Sequence, residues 1–410
     1  MSFLSNVFWG KTNWKALLVL VILAVIVGGG SLWYSKQVIQ VHKISQTQQQ
    51  KKDEETEQSG KFLYYYSQSY DPALFSIYRF NFDIAENDNL VAKFNGDFSI
   101  IGKSLGEGKF FVCRSETWPC DNKLYILDVK TGELKEYLAA EEGKSFRSAV
   151  FSHNKNFLAY TLLKINTNAE LGEVKETGEV WIYDLEEKNH RKIFEQELGW
   201  TSLFVEGWNK KDNKLIVREL GGEGGQSWGA IYLVEATKTV DNYTEIPLLG
   251  DDFLFGTLSP DGENWLYHYC EKPTWEYPES ESCEEGAEIE MYNFEESNST
   301  TIYKNTFHPD NIYRRKLRVI NSVVWQDSEN IIFSIPQGIY KIDLDSKQPE
   351  ELYAFNWSDP DAIFRLPPWV EYANDDIVIY HRGENFILNL STKKNMGLGK
   401  NMSDINWFLE

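Results

Sequence analysis

From Phe62 onward, apolar and polar positions alternate in runs of five to eight residues, separated by Gly, Asn, Asp and Pro turns. A period of two marks a β-strand with one covered face, and no stretch of this region sustains a helical period. One aromatic-centred run recurs at 77–80, 124–128, 180–184, 231–235, 289–293, 339–343 and 386–389, and several copies end in Asp or Asn. Its reference position falls at 78, 125, 181, 232, 290, 340 and 386, in steps of 47, 56, 51, 58, 50 and 46. A second pattern, strand, polar turn, strand, precedes most copies: 149–161, 206–219, 256–269, 323–335, 369–381 and, more loosely, 99–113. Segments 131–138, 189–196 and 348–355 read as a further, outer strand.

Four antiparallel strands per repeat predict an all-β fold, a seven-bladed β-propeller over 62–410. Six or eight blades also fit the spacing, and tandem sandwiches or an open β-solenoid are the rival architectures. The first repeat starts at 61–67 without an opening strand, and 403–410 reads as an opening strand alone. Pairing the two would close the ring and cover two sheet edges.

The segments LYILDVKTGELKEYL (124–138) and LSPDGENWLY (258–267) resemble the TolB-like and WD-like propellers. Only the second carries the full Ser-Pro-Asp-Gly turn. The resemblance implies a propeller whose top face or central channel binds a peptide or protein, and it implies no catalytic set. The region is also similar to the propeller half of the dipeptidyl-peptidase family, without that family's hydrolase half.

The N-terminal pattern is different. Residues 16–34 read ALLVLVILAVIVGGGSLWY without a charge, long enough at about 1.5 Å per residue to cross most of a ~30 Å hydrocarbon core. Trp14, Trp33 and Tyr34 suit the two interfaces. The expected order is a short cytoplasmic segment 1–15, a transmembrane signal-anchor helix 16–34, a polar linker 35–61, and the propeller. The alternative is a cleaved signal peptide with its apolar part at 16–27. Lys11 and Lys15 before the run are matched by Lys36 and Lys43 after it, so positive charge leaves the orientation open.

The cysteines resolve it. Cys113 and Cys120 flank one hairpin, and Cys270 and Cys283 flank the corresponding hairpin of another repeat. Hairpin flanks come within bridging range, which favours disulfides 113–120 and 270–283 among the three connectivities. The intervals do not match a zinc site, and reduced buried thiols are the other reading. Disulfides persist outside the cytosol, which places the propeller in the periplasm or at the cell surface.

Charge narrows the partners. The net formal charge is −21, and because residues 1–61 hold seven Lys and four acidic residues, 62–410 carry 34 basic and 58 acidic. Such a body repels phosphate backbones and argues against nucleic acid. No cofactor or metal is expected. The nine Glu between 276 and 296 could offer oxygens to a hard cation but read as solvated, and Arg314, Arg315, Lys316 and Arg318 read as a solvated connector. Gly225 to Gly229 match G-x-S-x-G, yet the flanks are hairpin-like and lack the following helix of a nucleophile elbow. Ser259 to Trp265 read as a turn, and the six His are scattered. Trp118, Trp228 and Trp275 lie in the same hairpin of three repeats and are the candidate binding rim. The expected function is a membrane-tethered extracytoplasmic module binding a protein, a peptide or an envelope polymer. The rival is a hydrolase of peptides or glycans in the central funnel, which would need carboxylates converging on the axis.

Overall fold

The computed structural model describes residues 62–70, 73–81, 86–114, 120–166, 175–198, 201–223, 226–237, 242–246, 256–270, 273–274, 282–283, 287–305, 320–355, 368–382, 384–397 and 405–408. The chain divides into two compact units, Met1–Phe62 with Asn81–Asn87, and Leu63–Phe80 with Asp88–Glu410. The expected membrane helix 16–34 and linker 35–61 lie outside the described residues. Among the described residues, no helix is long and apolar enough to cross a membrane.

The second unit is an all-β, seven-bladed propeller. Seven four-stranded antiparallel sheets follow one another. From inner to outer strand, blade 2 is Phe98–Ser104, Lys109–Arg114, Lys123–Asp128 and Glu133–Ala139. Blade 3 is Lys144–Phe151, Phe157–Asn166, Lys175–Asp184 and Asn189–Leu198, and blade 4 is Thr201–Trp208, Lys214–Glu223, Gln226–Glu235 and Tyr243–Ile246. Blade 5 is Thr257–Leu258, Asn264–Cys270, Ala287–Asn293 and Asn298–Asn305. Blade 6 is Ser322–Trp325, Asn330–Ile335, Gly338–Asp343 and Pro349–Ala354, and blade 7 is Trp369–Ala373, Ile377–His381, Asn385–Asn389 and Asn395–Gly397. Blade 1 takes its inner strand, Ile405–Phe408, from the C-terminus and continues with Phe62–Tyr70, Ala73–Asn81 and Glu86–Asn95. The register of its closure is Tyr64 with Phe408, Tyr65 with Trp407, Tyr66 with Asn406 and Ser67 with Ile405.

The core lies between blades, which explains the burial along each strand. A second strand has a neighbouring blade on both faces, so Asn330–Ile335 is buried at every position after the first. Its alternate side chains serve different neighbours. Leu215 and Val217 join the cluster between blades 3 and 4, with Val180 and Leu203, while Ile216 joins the next one with Leu258 and Trp265. Outer strands are wetter, as in Asn189–Leu198.

Two serines tie neighbouring inner strands together. Ser148 Oγ lies 2.9 Å from Thr161 Oγ1 and accepts the Val205 N–H of the next blade at 2.7 Å. Ser322 Oγ lies 2.8 Å from Ser334 Oγ and accepts the Val370 N–H at 2.6 Å. All four hydroxyl residues are buried. Replacing Ser322 with Ala strands the Val370 N–H, so Ser322→Ala is expected to lower unfolding free energy by about 1–3 kcal/mol. Urea unfolding of the variant tests this; an unchanged midpoint would show that the tie is energetically idle.

The aromatic run of each repeat ends in a recurrent turn. Asp128, Asp184, Asn293, Asp343 and Asn389 each accept backbone N–H groups from two or three residues ahead. Four residues after each stands one with positive φ: Gly132, Lys188, Ser297, Lys347 and Lys393. The carboxylate or amide replaces the missing strand partner, which is why these turns read as Asp or Asn in the sequence.

Candidate functional site

Strand alternation sorts the connections onto two faces. Turns between first and second strands, and between third and fourth, lie on one face. The hairpins between second and third strands, and the blade-to-blade connections, lie on the other. The first set is short; the second includes the longest connections of the chain, at 271–286, 306–321 and 355–368. The second set is called the loop face below.

The hairpins of Trp118, Trp228 and Trp275 all join second to third strands, in blades 2, 4 and 5. Trp118 and Trp275 lie outside the described residues, as does the side chain of Trp228. The Trp228 backbone is in strand Gln226–Glu235, opposite Gly221. The same register pairs Gly222 with Ser227 and Glu223 with Gln226, so the G-x-S-x-G run forms one arm of a hairpin. Gly229 has φ +151, and a Cβ there would sit 2.0 Å from the Glu219 carbonyl oxygen. Its place is set by the close approach of two strands.

Cys113 and Cys120 form a disulfide with Cα atoms 5.8 Å apart. Both are buried, beside Phe111, Leu124, Phe146 and Tyr160. The side chains of Cys270 and Cys283 lie outside the described residues. Opening the 113–120 bridge by Cys113→Ala with Cys120→Ala is expected to cost about 2 kcal/mol, from loop closure over a separation of 7 residues. Thermal melts of the double variant with and without reductant measure it; a reductant that moves the variant as far as the parent would assign the effect to another bond.

The other sequence candidates resolve into structural roles where they are described. Ser259 Oγ donates to Asp261 Oδ1 at 2.6 Å and accepts Asn264 N–H at 2.9 Å, closing a turn. Glu288 pairs with Lys304, and Glu290 accepts the Thr301 hydroxyl at 2.6 Å. Burial raises the Glu290 carboxyl above its ordinary value. The rest of the acidic run between 276 and 286, and the basic cluster 314–318, lie outside the described residues. Among the described residues, no three His, Cys, Asp or Glu side chains assemble as a metal group.

Two buried carboxylates were not apparent in the sequence. Glu179 accepts Lys144 Nζ at 2.8 Å and Trp181 Nε1 at 2.9 Å, with Lys192 at 3.6 Å. Burial alone would raise its pKa, but these partners hold it below the usual carboxylate range. Glu219 accepts Tyr232 Oη and Gln196 Nε2, each at 2.8 Å, and Thr201 Oγ1 at 2.7 Å. Burial first, then Glu219, pushes the Tyr232 phenol upward. Donors surround both carboxylates, which fits them to fix strand positions.

The inner strands begin on the loop face with Phe98, Lys144, Thr201, Ser322 and Trp369 in blades 2, 3, 4, 6 and 7. Phe98, Thr201 and Ser322 are buried, whereas Trp369 is exposed. Sequence reasoning did not single out Trp369, because nothing in WVEYA sets its first residue apart from a core tryptophan.

No family model matches the chain, and no curated protein matches it. Among solved structures it is similar to TolB from Acinetobacter baumannii, at 14% identity over 72% of this chain and 64% of that one, with a TM-score of 0.42. It is similar to an oligogalacturonate lyase in complex with manganese, at 10% identity over 78% and 86%, with a TM-score of 0.47. It also matches the β-propeller domain of Cps50 (Swd1) from Myceliophteria thermophila, at 11% over 74% and 85%, with a TM-score of 0.40. The chain spans less than two thirds of TolB, and 28% of the tricorn protease it also matches. The likeness is one of fold: TolB-like and WD-type propellers share the blade arrangement.

Proposed function

We propose that the chain is a membrane-tethered, extracytoplasmic propeller that binds a protein, a peptide or a cell-envelope polymer on its loop face, as a scaffold or receptor. The observation that carries this reading is the set of inner-strand starts. Phe98, Thr201 and Ser322 are buried and Lys144 is engaged by Glu179, but Trp369 presents an exposed indole on the loop face, a group suited to hold a partner. Hydrolysis in the funnel would call for paired carboxylates at the same level, and the two buried glutamates of blades 3 and 4 are engaged by structural donors. The address is supported by the uncharged run 16–34 and by the buried Cys113–Cys120 bridge.

The test combines topology with capture. Protease added outside intact cells should digest the propeller while an epitope at residue 1 survives. Cross-linking in those cells, followed by purification of the full chain, should enrich a discrete partner. A purified chain that cleaves peptides or glycans with turnover would replace this reading with the enzymatic one.

A further inference from the structure

Five N-x-[ST] triplets begin at Asn242, Asn298, Asn356, Asn389 and Asn401. Such a triplet can accept an N-linked glycan where an exported protein presents it at the surface. Asn356 and Asn401 lie outside the described residues. The other three fall at the connection from third to fourth strand, in blades 4, 5 and 7, on the face opposite the loop face.

Two of the three share one place in their blades. The Asn242 carbonyl accepts the Glu235 N–H at 3.0 Å, and Tyr243 stands opposite Val234. In blade 5, Asn298 stands opposite Asn293 and Ser299 opposite Tyr292. Glu235 and Asn293 each end a third strand, so Asn242 and Asn298 mark the head of the outer strand in neighbouring blades. All three residues of each triplet, 242–244 and 298–300, are exposed. Side chains two apart on a strand share a face, so the Thr300 hydroxyl lies on the same open side as the Asn298 amide.

Asn389 is placed differently, because it is itself the acceptor of its turn. Its Oδ1 accepts the Thr392 N–H at 2.8 Å, Thr392 Oγ1 at 2.9 Å and Ser391 Oγ at 2.8 Å. The hydroxyl of its own triplet is thus held inside the turn, and Asn389 is half-buried. In blade 5 that accepting role belongs to Asn293, and the Asn298 amide only donates to Glu296 Oε2 at 3.3 Å on the surface.

We propose that Asn242 and Asn298 are N-glycosylation sites. This rests on the extracytoplasmic part of the reading above. The donor class is an oligosaccharide linked through pyrophosphate to a membrane lipid, used by a membrane transferase. The Asn Nδ2 attacks C1 of the first sugar and a C–N bond forms. The bond from C1 to the pyrophosphate oxygen breaks, the lipid pyrophosphate leaves, and one amide proton passes to a base of the transferase. No oxidation or reduction is involved. The outer strands Tyr243–Ile246 and Asn298–Asn305 are sheet edges. A bulky hydrophilic chain at the head of each hinders pairing with another chain and leaves the loop face clear.

The test takes the full chain from the membranes of its own cells. Its peptides are weighed by mass spectrometry before and after an amidase that removes N-linked glycans and leaves aspartate. Peptides holding Asn242 and Asn298 are expected to carry glycan before treatment and Asp at those positions after it, while the Asn389 peptide is unmodified. Asn242→Gln and Asn298→Gln should each remove one step of the mobility shift on gels. Thr244→Ala and Thr300→Ala should do the same with the asparagine still in place. All four positions are exposed, and circular dichroism checks that the variants keep the parent fold. Unmodified Asn242 and Asn298 in a propeller that external protease digests overturn the proposal and leave its address standing. Glycan found at Asn389 alone, or glycan that resists the amidase and persists in the Gln variants, also overturns it. A propeller sealed from external protease removes the extracytoplasmic reading, and these sites with it.

Discussion

Truncation before Ile405 is expected to abolish a cooperative, soluble fold. The four register pairs of Ile405–Phe408 with Phe62–Tyr70 supply the inner strand of blade 1. Without them, the backbone groups of Phe62–Tyr70 on that side face solvent as a sheet edge ready to pair with another chain. At roughly 1 kcal/mol net per backbone hydrogen bond, the loss is on the order of 3–5 kcal/mol, a large part of the stability of an ordinary domain. Light scattering on warming, compared with the intact chain, should show aggregation at a clearly lower temperature. A truncated chain that stays monomeric with an unchanged melt would mean that the closing strand is dispensable.

The second large effect is expected at Gly262, in the turn with the full Ser-Pro-Asp-Gly sequence. Its φ is +74, and a Cβ there would fall 1.9 Å from the carbonyl oxygen of Trp208 in the preceding blade. Neither partner is a movable side-chain end, so one blade must shift against the other. Gly262→Ala should cost on the order of 2–4 kcal/mol. Gly106 provides the control: its φ is +84, and a Cβ there would meet nothing within 4 Å. Gly106→Ala should cost about 1 kcal/mol, from backbone strain alone. Equal midpoints for the two variants in guanidinium would show that the contact with Trp208 yields freely.

The blades were legible in the sequence because the same physical demand recurs in each. A second strand covered on both faces requires apolar residues throughout, as in Asn330–Ile335, and the turn after the third strand requires an acceptor side chain, as at Asp128 or Asp343. The inter-blade chemistry was not legible. Ser148 and Ser322 are ordinary strand serines until the register shows which N–H of the next blade each receives. Glu179 and Glu219 resemble solvated charges, because donors such as Lys144, Gln196 and Thr201 come from other strands. Period-two patterning assigns a residue to a face of its own sheet. It does not say whether the next blade covers that face, and this separates the exposed Trp369 from the buried Trp325 and Trp208.

The pairing of Phe62–Tyr70 with Ile405–Phe408 also sets an order of events during synthesis. The partner of that strand follows the other six blades in chain order. A growing chain can stack those blades while it still carries an unmated first sheet, and the ring forms only once Ile405–Phe408 is available to pair. Chaperone capture during synthesis would therefore act on an open arc.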